Sequence, residues 1–337
     1  MRALILALCL MPCLSVSPSP GFAQSDPVTR MVDQVILPAF ASFAASTARL
    51  GDAATADCRA DHPDLRAAFQ SAFDDWIAVE PYRAGPLEND ARGLAIAYWP
   101  DLKGNTPKAL RALIAAGTIP AGADFAQSSV AARGLFALEV MLYDPAFNTY
   151  NATDPGCVLT QQIALDLAQV AAKTNADWQN VFGPLMMTAG AKGNSRFLAR
   201  QEVVQMLFTA ALTELDYIAE TRIARPLGTS DRPRPARAEA KASARSLRNV
   251  ELSIAAVNRL VQVMGDVKAG DMIDRLDYAT YAAAKIKDPT FADVITPSGF
   301  FRLQELQNAV QTARQSIKVD LGRILGVTEG FNALDGD

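Results

Sequence analysis

The sequence predicts an all-α protein made of two packed helical bundles of about four helices each. Half of its residues are hydrophobic and 20% are charged, which is typical of a folded globular chain. Apolar residues recur at helical spacing in many segments, whereas no segment shows a clear period of two, as a half-buried strand would. Short connections separate these segments, and such connections are typical of helical bundles.

The first 23 residues predict a cleaved signal peptide. Arg2 supplies a positive charge, and residues 3–14 form an apolar run that is too short to span a bilayer. The small residues before the cleavage point place it after Ala23. A lipid anchor at Cys9 or Cys13 is the weaker alternative, because no small residue precedes either cysteine. We therefore expect an exported protein of the periplasm or cell envelope, with no membrane span in its mature part.

Export decides how the cysteines are interpreted. Only Cys58 and Cys157 remain after the signal peptide is removed, and an even pair in an oxidising compartment predicts a disulfide. This bond would close a loop of roughly 100 residues, which stabilises the fold by about 4–5 kcal/mol in the chain-entropy model. Two buried free thiols are the alternative.

The predicted N-terminal bundle covers residues 24–156. Its first helix spans residues 27–50, and its second, residues 63–80, begins with a proline in its first turn. Residues 81–105 are broken by glycine and proline but carry many aromatic side chains, which predicts an irregular, packed and functional segment. A short helix follows over residues 106–116.

The next stretch, Ala132 to Asp144, predicts a helix that is apolar on nearly every side and is therefore buried. A buried carboxylate needs a cation, a metal ion or several hydrogen-bond donors. Glu139 is accordingly the strongest candidate for a metal or ligand contact, and a structural ion pair with an arginine is the alternative. Arg133 lies on a different face and points to a neighbouring element or an anion. Gly134 predicts close packing against another backbone.

The predicted C-terminal bundle covers residues 157–337. A long helix begins near Cys157 and runs past Trp178. An exposed loop, residues 229–236, comes later and contains two prolines and two arginines. The other predicted helices lie near residues 196–225, 238–265, 270–287 and 298–326.

Composition excludes several classes of function. The net charge is −4 and no basic stripe is present, so nucleic acid is not an expected partner. The chain has a single histidine, His62, which makes a Ser/His or Cys/His nucleophile implausible. No phosphate-binding loop or dinucleotide fingerprint is present.

Six segments, taken together and in this order, resemble the imelysin-like family, a group of exported bacterial proteins often linked to iron uptake and sometimes classed as metallopeptidases. The resemblance spans the whole mature chain. The segments are Trp76 with Arg83-Ala-Gly-Pro86, Tyr98-Trp-Pro-Asp101, Arg133-Gly-Leu-Phe-Ala-Leu-Glu139, Arg222-Ile-Ala-Arg-Pro-Leu-Gly228, Ser243-Ala-Arg-Ser-Leu-Arg-Asn249, and Leu325-Gly-Val with Gly330-Phe-Asn-Ala-Leu-Asp-Gly-Asp337.

The resemblance implies two helical bundles with a candidate site where they meet. It also implies a Gly-x-His-x-x-Glu signature in members thought to bind metal. Gly134 and Glu139 match this signature, but Phe136 stands at the histidine position. A phenyl ring cannot bind a metal, and catalytic zinc usually needs several nitrogen or sulfur ligands. A zinc peptidase is therefore not expected.

Two further groups of residues are candidates for the site. Arg245 and Arg248 lie one turn apart with Ser246 and Asn249 beside them, and this patch either faces Glu139 across the bundles or is a solvated helix face. The other group either lines a small-ligand pocket near residues 81–105 or is core packing. Its members are Trp76, Tyr82, Arg83 and Trp99.

These observations predict an exported, non-catalytic binding protein. Its expected cargo is iron or another hard divalent or trivalent ion, and its expected partner is an envelope protein of an iron-uptake system. One alternative is a metallopeptidase of the same family. The other is a helical protein-binding module that has lost metal binding, in which an arginine would neutralise Glu139.

Overall fold

The computed structural model describes residues 26–329, so the predicted signal peptide and the motif at residues 330–337 lie outside the described part. The described residues form ten helices and no strand, which confirms the all-α class. In chain order the helices are α1 (Pro27–Ala56), α2 (Pro63–Val79), α3 (Arg92–Ile96), α4 (Asn105–Ala116), α5 (Gly134–Tyr143), α6 (Pro155–Asp177), α7 (Arg200–Asp216), α8 (Ser246–Gly265), α9 (Gly270–Ala283) and α10 (Pro297–Ser316).

Three helices continue beyond these bounds through a π-helical turn. The turn after α6 is Trp178–Phe182, the turn after α7 is Tyr217–Ile223, and the turn after α10 is Ile317–Leu321. A π turn shifts the helix register by one residue and is often found at functional sites. The turn after α7 is the important one here, because it carries Tyr217 and Arg222 towards the candidate site.

Helix α1 lies in the centre of the apolar core, between α2 and α6. Phe40, Phe43 and Leu50 are fully buried, and Phe40 stacks on Trp178 with 4.9 Å between ring centroids. Burying one such side chain stabilises a fold by about 1.5–3 kcal/mol. Among residues 26–329, α1 alone is long and apolar enough to cross a membrane by length and composition. Its place in the core accounts for that composition.

The helices pack in two groups, α1–α6 and α7–α10. The groups meet where α8 packs against α2 and against the start of α1. The predicted domain boundary, between residues 156 and 157, falls at the start of α6, which packs mainly along α1. One apolar cluster runs through both groups. The division into two domains stays a prediction.

One predicted helix starts later than expected. The helix placed near residues 238–265 begins only at Ser246. Ala240 and Ala244 have φ angles of 45° and 58°, in the left-handed region where an L-residue cannot continue a right-handed helix. This irregular segment brings Glu239 and Ser243 into the interior, where both side chains are buried.

The predicted disulfide between Cys58 and Cys157 is confirmed. Their Cα atoms lie 5.2 Å apart and their sequence separation is 99 residues. The bond ties the turn after α1 to the first turn of α6, and both cysteines are buried. The chain would therefore need substantial opening before a reductant could reach the bond.

Replacing both cysteines with alanine is expected to lower the free energy of unfolding by about 2–5 kcal/mol, since the long loop is then free in the unfolded chain. Urea denaturation of the oxidised protein and of the double variant measures this difference. The reduced wild type is the matched control and should unfold at nearly the same urea concentration as the variant. Equal stability of the variant and the oxidised protein would contradict the prediction.

Candidate functional site

The start of α5 is held against α3 by direct backbone contact. Gly134 has φ +72°, and a Cβ atom there would lie 2.2 Å from the Ile96 carbonyl oxygen and 2.3 Å from that of Ala95. Only glycine tolerates both the angle and the contact. The predicted close backbone approach is therefore present, and it places the segment after α3 beside the next residues of α5.

Phe136 lies in the first turn of α5 and is surrounded by aromatic rings. Its ring stacks on Trp99 at 6.0 Å between centroids and meets Phe73 of α2 edge-on at 5.4 Å. The Arg245 guanidinium lies 4.7 Å from the centroid of the Phe73 ring. The position that the resemblance gives to a histidine is thus filled by a packed phenyl ring.

Glu139 lies one turn further along the same helix and is 6% exposed. Its Oε1 atom accepts hydrogen bonds from the Ser243 backbone N–H at 2.9 Å and the Ser243 hydroxyl at 2.8 Å. Within residues 26–329, no cation lies at ion-pair distance from it. Burial raises the pKa of Glu139 to about 6, although both bonds from Ser243 oppose this shift.

The arginine patch on α8 faces α2 rather than pairing with Glu139. Arg245 Nη2 lies 2.6 Å from Asp74 Oδ1, and Arg248 Nε lies 2.7 Å from the same oxygen. Arg245 also donates to the backbone and side chain of Gln70. Arg245 is 1% exposed, and its contacts with Asp74 and Gln70 form part of the buried interface between the two groups of helices.

Ser246 and Asn249 both contact Glu239. The Ser246 hydroxyl donates to the Glu239 carbonyl oxygen at 2.6 Å, and the Asn249 amide donates to Glu239 Oε2 at 3.0 Å. The same carboxylate oxygen accepts from Arg222 Nε at 2.7 Å. These bonds connect the start of α8 to a buried ionic cluster that the sequence did not predict.

We call this group the Arg222 cluster. Arg222 is 1% exposed and forms ion pairs with three carboxylates, those of Glu80, Glu214 and Glu239. Its Nη1 atom also donates to the Ser253 hydroxyl at 2.8 Å. The cluster joins the end of α2, which precedes Glu80, to the helices of the second group.

The Arg222 cluster has fewer cations than carboxylates. Arg83, which pairs with Glu80, is its second cation. Burial and then the nearby Glu80 charge raise the pKa of Glu214, so protonation of this carboxyl relieves part of the repulsion. The segment that begins at Arg222 was one of the family-like segments, but nothing local in the sequence indicated its acidic partners.

The remaining predicted residues are dispersed. Trp76 packs in the core against Phe43, with ring centroids 5.7 Å apart. Arg133 forms two hydrogen bonds to Asp166 of α6, of 2.8 and 2.9 Å, and so contacts a neighbouring element. Arg83 lies over the ring of Tyr217, 5.0 Å from its centroid.

An apolar cavity of about 280 Å³ lies next to the irregular segment after α2. Tyr82 and Arg83 line it together with Trp178 and residues of α7. Trp76 and Trp99 are not part of its lining. Two members of the predicted aromatic group therefore contact a cavity, and the other two pack elsewhere.

The donor set does not fit a resident metal ion held by three protein ligands. Within the described ranges, no group of three or more histidine, cysteine, aspartate or glutamate side chains is arranged to hold a metal ion. The single histidine, His62, lies at the start of α2 beside Asp57. We derive no catalytic step through a metal from these residues.

Comparison with known proteins gives consistent results. The family model described as Imelysin matches residues 36–317. An imelysin-like protein from Psychrobacter arcticum 273-4 superimposes with a TM-score of 0.76 at 21% identity, covering 90% of this chain and 96% of that chain. A protein from Parabacteroides distasonis ATCC 8503, proposed to be an iron-regulated protein A precursor, gives 0.64 at 12% identity, covering 86% and 94%. No curated protein sequence matches the chain.

Proposed function

The chain belongs to the imelysin family, and from this premise we propose that it is an exported, non-catalytic protein that handles iron or another hard metal ion in the bacterial cell envelope. Its cargo would contact Glu139 at the junction of α5 with the segment that carries Ser243. Its partner would be an envelope protein of an iron-uptake system.

The observation that carries the proposal is the state of Glu139. This carboxylate is buried, accepts hydrogen bonds only from Ser243, and lacks a paired cation within the described residues. A buried acid without a counterion costs stability, and strongly perturbed acids cluster at functional sites. A protein-binding module that had lost its metal was expected to neutralise Glu139 with an arginine. The observed arrangement differs, because Glu139 forms no ion pair with an arginine within the described residues.

Phe136 supports binding rather than hydrolysis. Peptide hydrolysis needs an activated water or a nucleophile, and a catalytic metal usually takes three protein ligands. The phenyl ring at this position supplies neither a metal ligand nor a nucleophile, and it packs against Trp99 and Phe73. Glu139 and Ser243 would instead contact a metal that keeps water or other ligands of its own.

Iron and export have separate support. The structural relative from Parabacteroides is proposed to be an iron-regulated precursor, which associates this fold with iron in that protein. The buried disulfide between Cys58 and Cys157 suits an oxidising compartment outside the cytoplasm. The relative therefore supports the proposed link to iron, and the disulfide supports the proposed setting in the cell envelope.

Calorimetric titration with ferric iron, ferrous iron, calcium and zinc tests the proposal. We expect wild type to bind one of these ions at a single site, and Glu139→Gln to weaken that binding by about tenfold or more, since a charged contact is lost. Binding should also weaken as the pH falls through about 6, because protonation removes the carboxylate charge. Asp33→Asn, at an exposed position on α1, is the matched control.

The stability of the same variant adds a second readout. A raised carboxyl pKa means that protonation of Glu139 favours the folded state. The buried charge therefore costs no folding stability below pH 4.5, the unfolded pKa. The cost grows as the pH rises to about 6 and is constant above that pH. Glu139→Gln should therefore be more stable than wild type by about 1–2 kcal/mol in alkaline buffer, and equal to it in acid. If wild type binds no ion, or if Glu139→Gln binds the ion as well as wild type does, the proposed metal contact is contradicted and a protein-binding module is favoured.

A further inference from the structure

A group of arginines lies on the segment that follows the π turn of α7. We call Arg225, Arg232, Arg234 and Arg237 the arginine cluster. Arg225 belongs to the last helical turn, Ala224–Leu227, and the other three lie on the following loop. Arg237 acts electrostatically on both Arg225 and Arg234, and Arg232 acts on Arg234, so these charges lie close together.

Backbone hydrogen bonds close this loop onto the helix end. The Arg234 N–H donates to the Pro226 carbonyl oxygen at 2.9 Å, next to Arg225. Thr229 and Arg232 form an isolated antiparallel bridge. Gly228, with φ +62°, permits the reversal, because a Cβ atom there would lie 2.4 Å from the Arg232 carbonyl oxygen. The conformation of the loop is therefore defined by backbone hydrogen bonds and by the turn at Gly228.

The arginine cluster has no acidic partner in the part of the chain that the structure describes. None of its four members belongs to an ion pair there, although Asp231 lies within the same loop. Burial and the charge of Arg237 lower the pKa of Arg225. The charges of Arg237 and Arg232 likewise lower the pKa of Arg234.

Arg225 is the best-defined member. Its guanidinium lies 5.4 Å from the centroid of the Trp99 ring, which is a cation–π distance. Its Nε atom is buried and has no hydrogen-bond partner within residues 26–329. A buried N–H without an acceptor is costly in general, so a bound acceptor would be favoured here.

We propose that Arg225, Arg234 and Arg237 bind a small multivalent oxyanion, one with carboxylate or phosphate groups, beside Trp99. The planar guanidinium presents paired donors that match the oxygens of either group. A multivalent anion would also remove the mutual repulsion of the arginines. Trp99 also stacks on Phe136, which lies one helical turn before Glu139 in α5. The inference goes beyond the proposed function and does not depend on metal binding by Glu139.

The test is calorimetric titration of the purified protein, expressed from the full chain, with citrate and with pyrophosphate in low-salt buffer. Wild type should bind at least one of these probes at a single site. Arg225→Gln and Arg237→Gln should each weaken binding by about tenfold or more, the usual effect of losing a charge-assisted pair. Arg323→Gln, on an exposed arginine that pairs with Asp320, should leave the affinity unchanged.

Two further readouts separate this site from general charge attraction. Arg225→Lys keeps the charge but loses the paired donors, so affinity should still fall several-fold; a fully retained affinity would overturn the proposed geometry. At the same anion concentration, the melting temperature of wild type should rise by more than that of Arg237→Gln. Absence of saturable binding to both probes, or equal binding by Arg237→Gln and Arg323→Gln, would overturn the proposal. Preference for one probe would support it and identify the oxyanion class.

Discussion

Replacing Arg222 with methionine is expected to lower the free energy of unfolding by about 3–5 kcal/mol, since removing one partner of a buried ion pair leaves uncompensated charge. The arginine is 1% exposed and pairs with Glu80, Glu214 and Glu239, which are all buried. Methionine fills similar volume, so the loss reports charge rather than a cavity. Urea denaturation followed by far-ultraviolet circular dichroism measures it.

The pH dependence of this loss identifies its cause. Without Arg222 the three carboxylates repel one another, and protonation relieves the repulsion. The deficit should therefore be largest in alkaline buffer and should shrink as the pH falls. Adding Glu80→Gln, Glu214→Gln and Glu239→Gln to the methionine variant should recover much of the stability. Arg323→Met, at an exposed position, is the control, and a deficit as small as in this control would show that the cluster contributes little.

Gly134→Ala is expected to be about as damaging, with a loss of roughly 3–5 kcal/mol from backbone strain and steric overlap together. The new methyl group would lie 2.2 Å from the Ile96 carbonyl oxygen, so α3 and α5 must separate. That movement would displace Phe136 from Trp99 and Glu139 from Ser243. Ion binding at Glu139 should weaken together with stability.

Gly117 provides a matched control for the conformational part of this effect. Its φ angle is +71°, almost that of Gly134, but a Cβ atom there would meet nothing within 4 Å. Gly117→Ala should therefore cost only about 1 kcal/mol, the penalty of a left-handed alanine. The difference between the two variants measures the contact between α3 and α5. Equal losses of unfolding free energy in the two variants would mean that α3 and α5 can separate at little cost.

Several features could be predicted from the sequence because they depend on local pattern. Helical periodicity indicated the all-α class, and the apolar stretch around Glu139 indicated a buried helix, which α5 is. A glycine in that stretch indicated a close backbone approach, and Gly134 makes one. The pair Cys58 and Cys157 followed from cysteine count and export, without any knowledge of distance.

The partners of the charged residues were decided by the tertiary structure. Glu139 bonds to Ser243, 104 residues away, and Arg222 to Glu80, 142 residues away. Arg245 and Arg248 pair with Asp74 instead of Glu139. The predicted helix that began near residue 238 starts at Ser246, and the unwound part is what carries Ser243 inward.

The physical reason is that the burial of apolar side chains and the pairing of charged or polar groups depend on different kinds of interaction. Hydrophobic burial is non-directional and roughly proportional to area, so its spacing along one helix already reveals which face is inside. An ion pair or a hydrogen bond depends on two atoms meeting at a defined distance, and distant segments supply those atoms only after packing. The sequence by itself therefore determined most of the helices, the apolar core and the disulfide. Only the packed chain decided which acid meets which base, and so where the candidate site lies.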